Sequence, residues 1–167
     1  MGEADHETID PAKAEEAMWD AIKARRTGML GLVDARDHYQ PMTAMVEEDS
    51  QTIWFFTRDD TDLATAATGR MAMFNLVSKD EQVCACLFGS LTATRDAARI
   101  EKFWNPIVAA WYPEGKDDPH LTLLRFDADD ARVWLSIGKA RFLFEIAKAN
   151  LTTSLPDEGG VVDLNLR

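Results

Sequence analysis

The sequence has little of what side-chain catalysis and metal binding usually draw on. Its three histidines, His6, His38 and His120, are scattered through segments that read as loops, and its two cysteines, Cys84 and Cys86, share one short stretch. A zinc site needs several N or S ligands at matched spacing, so no metal is expected. A C-x-C pair on a strand points both thiols to one face without closing a useful disulfide, and the two are read as small buried hydrophobes. The G-x-S-x-G elbow, H-E-x-x-H, the Walker loop and G-x-G-x-x-G are absent. No apolar run approaches the ~20 residues of a membrane-crossing helix. The opening MGEADHETID is polar and acidic where a secretory leader is basic and then apolar, which gives a cytoplasmic expectation. Basic residues are in deficit as well: 18 Lys+Arg against 29 Asp+Glu leave a net charge of −11. That balance argues against nucleic acid and anionic membrane as partners, since both need clustered cations.

What is there suits one globular domain: 167 residues, 46% hydrophobic and 28% charged. Residues 1–10 read as a flexible tail. Asp10-Pro11 then offers an N-cap and a first-turn proline, and a helix is expected to about Arg26, with Met18, Ala21, Ile22 and Arg25 at helical spacing. From Thr27 the pattern turns to strands. GMLGLV and YQPMTAMV read as a hairpin, with Pro41 marking an edge or bulge, and TIWFFT follows after the turn at Glu47–Ser50. A short capped helix leads to Gly69, then come RMAMFNLVS and QVCACLFGSLTAT, the latter expected to kink or bulge at Gly89. Asp96 caps a helix to about Trp104, stopped by Pro106. After a Pro/Gly/Asp-rich loop, LTLLRF and ARVWLS read as strands separated by a turn at DADD. A last helix over about 138–150 carries Phe142, Leu143, Ile146 and Ala147 at helical spacing. The loop SLPDEGG and a short strand VVDLNL follow it.

Hairpins in series favour a small closed or partly closed antiparallel barrel rather than a parallel sheet, because closure removes exposed edges and helices follow only a few strands. The core of that barrel is expected within 11–136, with 137–167 an appended helix and strand.

An ordered set of short motifs adds to this: Pro41-Met42, WFFT at 54–57, T-D-L opening a helix, W-N-P at 104–106, A-W-Y-P at 110–113, G-K-D-D-P at 115–119 and L-L-R-F at 123–126. In this order and spacing they resemble the FMN-binding split-barrel proteins related to pyridoxamine 5′-phosphate oxidase, in the general stress protein 26 branch. The resemblance spans about Ala14 to Ser136. It implies a mainly β (α+β) fold, a six-stranded antiparallel split β-barrel with flanking helices, and a homodimer with a flavin in each groove between subunits.

By the same resemblance Thr57, Arg58 and Thr61, at a strand end and helix start, hold the flavin phosphate. Local charge-assisted hydrogen bonds there would have to offset the chain's negative charge. Pro41, Met42, Thr43 and Phe56 are carried over as the ring wall, and Trp104 and Trp111 as residues closing the groove from the other subunit. Gln40 stands where many members have Arg before Pro-Met, and Leu63 where many have Lys. The implied function is an FMN-dependent redox protein, with FAD as the alternative flavin. The competing readings are a non-enzymatic flavin-binding or stress-related protein, and a split barrel holding another planar cofactor such as a deazaflavin or haem.

Overall fold

The computed structural model describes residues 9–47, 50–136, 138–152 and 159–167. The expectations for Met1–Thr8, for the turn at Glu48-Asp49 and for most of the SLPDEGG loop lie outside them. Helix α1 (Pro11–Arg25) starts where Asp10 accepts a hydrogen bond from the Ala12 N–H at 3.0 Å. It buries Ala14, Met18, Ala21 and Ile22, while Arg25 stays exposed instead of joining that stripe. Ile9, just before it, packs against the main core.

Strands β1 (Thr27–Leu32), β2 (Gln40–Thr43), β3 (Met45–Glu47), β4 (Thr52–Arg58), β5 (Arg70–Val77), β6 (Val83–Thr94), β7 (Leu121–Leu135) and β8 (Gly160–Asn165) form one antiparallel sheet. The neighbour order is β2-β1-β5-β6-β7-β4-β3, with β8 on β7. β2 and β3 thus sit at opposite ends of that order although only Ala44 separates them in the chain. Ala44 is buried and donates its N–H to the Arg26 carbonyl at 2.7 Å. This corner carries the chain from one end of the sheet to the other and curls it into a split barrel. Leu30, Ile53, Phe55, Phe74, Leu87, Leu91 and Phe126 fill it, with Met18 and Ile22 of α1 joining the same core.

The sheet has eight strands where the resemblance implied six, and its strand boundaries differ from the sequence reading at two points. The stretch YQPMTAMV breaks at Ala44 into β2 and β3, which pair with different neighbours. VVDLNL docks as β8 along β7. The DADD segment is no turn: β7 runs straight through it, so LTLLRF and ARVWLS are one strand. β7 pairs with β4 through Leu121–Asp127 and with β8 through Asp130–Leu135, and Asp129 is the extra residue at the change of neighbour. Opposite it the β6 register shifts between Phe88 and Gly89, and a Cβ at Gly89 would strike the Asp127 carbonyl oxygen. The expected bulge at Gly89 is therefore present, and the polar run reads as the other half of it.

Helices α2 (Asp62–Ala66), α3 (Ala97–Phe103), α4 (Pro106–Ala109) and α5 (Lys139–Thr152) complete the fold. Pro106 both follows α3 and opens α4, which Asn105 caps by accepting from the N–H groups of Ile107 and Val108. A second apolar cluster of Trp54, Ile100, Val108, Tyr112, Leu121 and Leu123 lies beneath α3 and α4, on the side of β4 away from the barrel interior. Cys84 and Cys86 are half-buried and alternate with the core residues Ala85 and Leu87, so they face out of the barrel rather than into its core. Among the described residues no helix is long and apolar enough to cross a membrane.

Candidate functional site

Alternation along β4 places Ile53, Phe55 and Thr57 toward the barrel and Trp54 and Phe56 toward the second cluster. At the end of the strand the chain turns into α2. Thr61 caps that helix by accepting from the Ala64 N–H at 3.2 Å, and its hydroxyl donates to the Arg58 carbonyl at 3.0 Å. The Thr57 and Thr61 hydroxyl oxygens are 3.3 Å apart. Thr57, Arg58 and Thr61 are thus gathered in one corner, as the sequence suggests.

Arg58 is not idle there. Its Nε and Nη2 donate to the two carboxylate oxygens of Asp60, each at 3.2 Å. The hydrogen bond from Arg58 draws the Asp60 pKa below the ordinary aspartate value, and the same bond raises that of Arg58. Asp59 Oδ1 accepts from His120 Nδ1 at 2.9 Å, and the Asp59 N–H donates to the His120 carbonyl. Asp59, Asp60 and His120 are exposed and bring one donor atom each within 4.8 Å of one another.

Tyr112 braces this corner from behind. Its hydroxyl donates to the Thr57 carbonyl at 2.8 Å inside the second cluster, and burial pushes its pKa up to about 12. The loop before β7 is pinned by Arg95, whose guanidinium donates to the carbonyls of Asp118, Leu121 and Lys116. Sequence reasoning missed Tyr112 as a brace. The A-W-Y-P motif contained it, but only the fold shows which of its two aromatics turns inward.

On β2, Gln40 and Met42 share a face, with the Gln40 amide nitrogen 3.6 Å from Met42 Sδ, while Pro41 and Thr43 are exposed. Met42 packs against the main core. A cavity of about 190 Å³ opens between β1, the segment before β2, and α2, lined among others by Gly31, His38, Gln40, Asp62 and Leu63. The two positions where basic residues are common in the resembling family, Gln40 and Leu63, therefore face the same space, which neither position alone announces. A larger open groove of about 730 Å³ between α1 and β3 contains none of the candidate residues.

The remaining candidates are dispersed. Phe56 and Trp104 meet in the second cluster with ring centroids 6.2 Å apart, and Tyr112 completes the trio at 6.4 Å and 6.1 Å. They lie across β4 from Thr57. Trp111 is 76% exposed, one helical turn beyond Ile107 at 77%.

Comparison with known proteins agrees with the barrel. The family description "Pyridoxamine 5′-phosphate oxidase like" matches residues 13–157. A solved structure described as general stress protein 26 from Jannaschia sp. CCS1 is 32% identical over 94% of this chain and 100% of its own, with a TM-score of 0.78. A general stress family protein from Xanthomonas campestris pv. campestris is 43% identical over 79% of this chain and 93% of its own, TM-score 0.73. One from Xanthomonas citri, described as a general stress FMN/FAD binding protein, is 44% identical over 74% and 89%, TM-score 0.70. No curated protein matches the chain.

Proposed function

This chain belongs to the pyridoxamine 5′-phosphate oxidase-like family, and from that membership we propose that it binds FMN as a homodimeric, cytoplasmic redox protein of the general stress protein type. The observation that carries the reading is the β4–α2 corner, where Thr57, Arg58 and Thr61 are gathered at the start of the same helix α2 whose Asp62, Leu63 and Ala66 line a cavity with β1 and Gln40. A 44% identical structure described as an FMN/FAD binding protein supports flavin as the ligand.

The residues fit the group, though unevenly. Met42 beside Gln40 gives a partly apolar contact for a ring, while Pro41 and Thr43 alternate to the exposed face of β2. At the phosphate end, the Arg58 guanidinium and the Gln40 amide are the donors at hand, the Thr61 hydroxyl is committed to the Arg58 carbonyl with the Thr57 hydroxyl beside it, and Leu63 contributes none. Arg58 must exchange Asp60 for the phosphate, one charge-assisted pair for another, so the gain is smaller than an unengaged arginine would supply. FAD carries the same ring and is the alternative flavin, as the description of the 44% identical structure allows. Bound flavin would supply the electron-accepting chemistry. The chain's part is to hold the phosphate, orient the ring and keep water from one face of it.

A second copy completes the groove in this reading. Trp111, just beyond α4 and exposed, is suited to cover a neighbour's ring; Trp104 is engaged with Phe56 and Tyr112 within its own subunit. Titration of the purified protein with FMN, followed by assay of reduced-nicotinamide oxidation, tests the proposal: saturable binding with turnover supports it. Binding without turnover would give the second reading, a flavin carrier. That reading is favoured by the hold of Asp60 on Arg58 and by Tyr112, whose proton is committed to the Thr57 carbonyl at neutral pH.

A further inference from the structure

We propose that His120 is the second cation of the phosphate corner: held by Asp59 through Nδ1, it presents Nε2 to the flavin phosphate and, once protonated, supplies charge that Gln40 and Leu63 do not. The inference rests on the flavin reading above and names the residue that makes phosphate binding depend on pH. The loop before β7 carries His120 to the corner, since its neighbour Leu121 is the cross-strand partner of Arg58. Three hydrogen bonds fix it there. Its carbonyl accepts from the Asp59 N–H, its N–H donates to Asp118 Oδ1, and its Nδ1 donates to Asp59 Oδ1, each at 2.9 Å. Asp118 is itself buried, and Arg95 holds its carbonyl. The ring is therefore in place before any ligand arrives.

An ionised carboxylate only accepts, so the proton of a neutral His120 sits on Nδ1 and Nε2 keeps its lone pair. Nε2 has no hydrogen-bond partner among the described residues, and the side chain is 50% exposed. A neutral ring offers an anion nothing there, whereas a protonated one offers an N–H and a charge. With His120 neutral, carboxylates outnumber cations at the corner: Asp59, Asp60 and Asp118, whose charges all reach Arg58, Asp62 at the start of α2, and the exposed Asp117 on the loop. Behind the loop, Arg95 is committed to the carbonyls of Asp118, Leu121 and Lys116, and the Lys116 ammonium to Glu101. The His120 charge also acts through Asp60, whose carboxyl is held below its ordinary range first by the Arg58 hydrogen bond and, more weakly, by His120. Asp59, Asp60 and His120 bring one donor atom each within 4.8 Å of one another, so a charged His120 gives Asp60 a second partner and eases the release of Arg58 to the phosphate. FMN binding then draws a proton from solvent onto Nε2, and no bond between heavy atoms changes.

Fluorescence titrations of the full chain with FMN and with riboflavin, run in a chelator from about pH 8.5 to about 6.5, test this; a phosphate monoester, with its second pKa about 6, stays mostly dianionic over that range. FMN affinity of the unaltered chain should rise about fivefold as pH falls, and riboflavin affinity should stay level. His120→Gln should lose the rise while matching the unaltered chain at the alkaline end, and His120→Lys, charged throughout, should bind FMN equally at both ends. If circular dichroism shows that His120→Gln disturbs folding, the His120→Lys profile against that of the unaltered chain decides. A rise that persists in either variant, or that riboflavin shares, overturns the assignment and leaves the flavin reading standing. A flat FMN profile does the same, as does a rise that appears only when Mn²⁺ replaces the chelator, which would make His120 a metal ligand instead. FMN that binds at no pH overturns both.

Discussion

The Tyr112 hydroxyl donates to the Thr57 carbonyl at 2.8 Å, so a loop residue far along the chain fixes the backbone of the strand end whose side chains form the candidate phosphate corner. The bond is buried and satisfies both groups, where either alone would be costly. It also sets the rim of the corner without placing a titrating group in it.

Tyr112→Phe removes the donor and leaves the Thr57 carbonyl buried without that partner. A loss of about 1–3 kcal/mol in chemical denaturation is expected. The sign of the pH effect follows from the raised pKa. The neutral phenol is favoured in the fold, so its contribution is whole below pH 10 and is lost as pH rises through about 12. Over that window the stability of the unaltered chain should fall more steeply than that of Tyr112→Phe, measured by urea midpoints at successive pH values.

Arg58 and Asp60 should act in opposition. Arg58→Ala is expected to weaken FMN about tenfold or more, since a charge-assisted hydrogen bond is worth roughly 1.5–3 kcal/mol, and to leave riboflavin unchanged because it lacks the phosphate. Asp60→Asn frees the guanidinium and should tighten FMN several-fold. Fluorescence titrations with both flavins read this directly, and equal losses for FMN and riboflavin would mean that Arg58 only shapes the turn.

Gln40→Arg and Leu63→Lys each bring a cation to the cavity that both residues line. Each should tighten FMN by about tenfold without affecting riboflavin. Isothermal titration of the two single variants and the double variant checks this, with near-additive gains expected unless the two cations crowd one phosphate oxygen.

Glu47 ties β3 to α3, accepting hydrogen bonds from Trp54 Nε1 at 3.2 Å, Arg99 Nη2 at 3.3 Å and Lys102 Nζ at 3.4 Å. Burial by itself would raise its pKa, but the bonds from Trp54 and Arg99 outweigh that and hold it below the usual value. Its contribution is therefore present above the unfolded pKa near 4.5 and is lost as pH falls through the lower folded value. Glu47→Gln should cost about 1–3 kcal/mol at pH 7 and flatten the acid limb of the stability curve.

The barrel was legible because hydrophobic alternation marks strands wherever one face is buried, and the Asp10, Thr61 and Asp96 caps mark helix starts by a local mechanism. The Ala44 corner was not, since breaking one strand into two partners is a decision of closure and leaves no local signal. Asp127–Asp130 reads as a turn because four short polar or small residues favour one. Its polarity instead serves the ion pair of Asp129 with Arg167, 2.6 Å at the nearest oxygen, as β7 changes neighbour. At the candidate site, Thr57, Arg58 and Thr61 meet because they are close in sequence at a strand end and helix start. Phe56 shows the limit of that proximity: the pleat turns it away from Thr57, one residue on, into the Trp104 cluster.

FMN titration of the purified chain, with sedimentation run on the same samples, tests the central claim most directly. The account predicts saturable quenching of flavin fluorescence at one FMN per chain, on a species of twice the chain's 18.7 kDa mass. Flavin fluorescence unchanged up to millimolar protein, or stoichiometric binding by a species of single-chain mass, would contradict it.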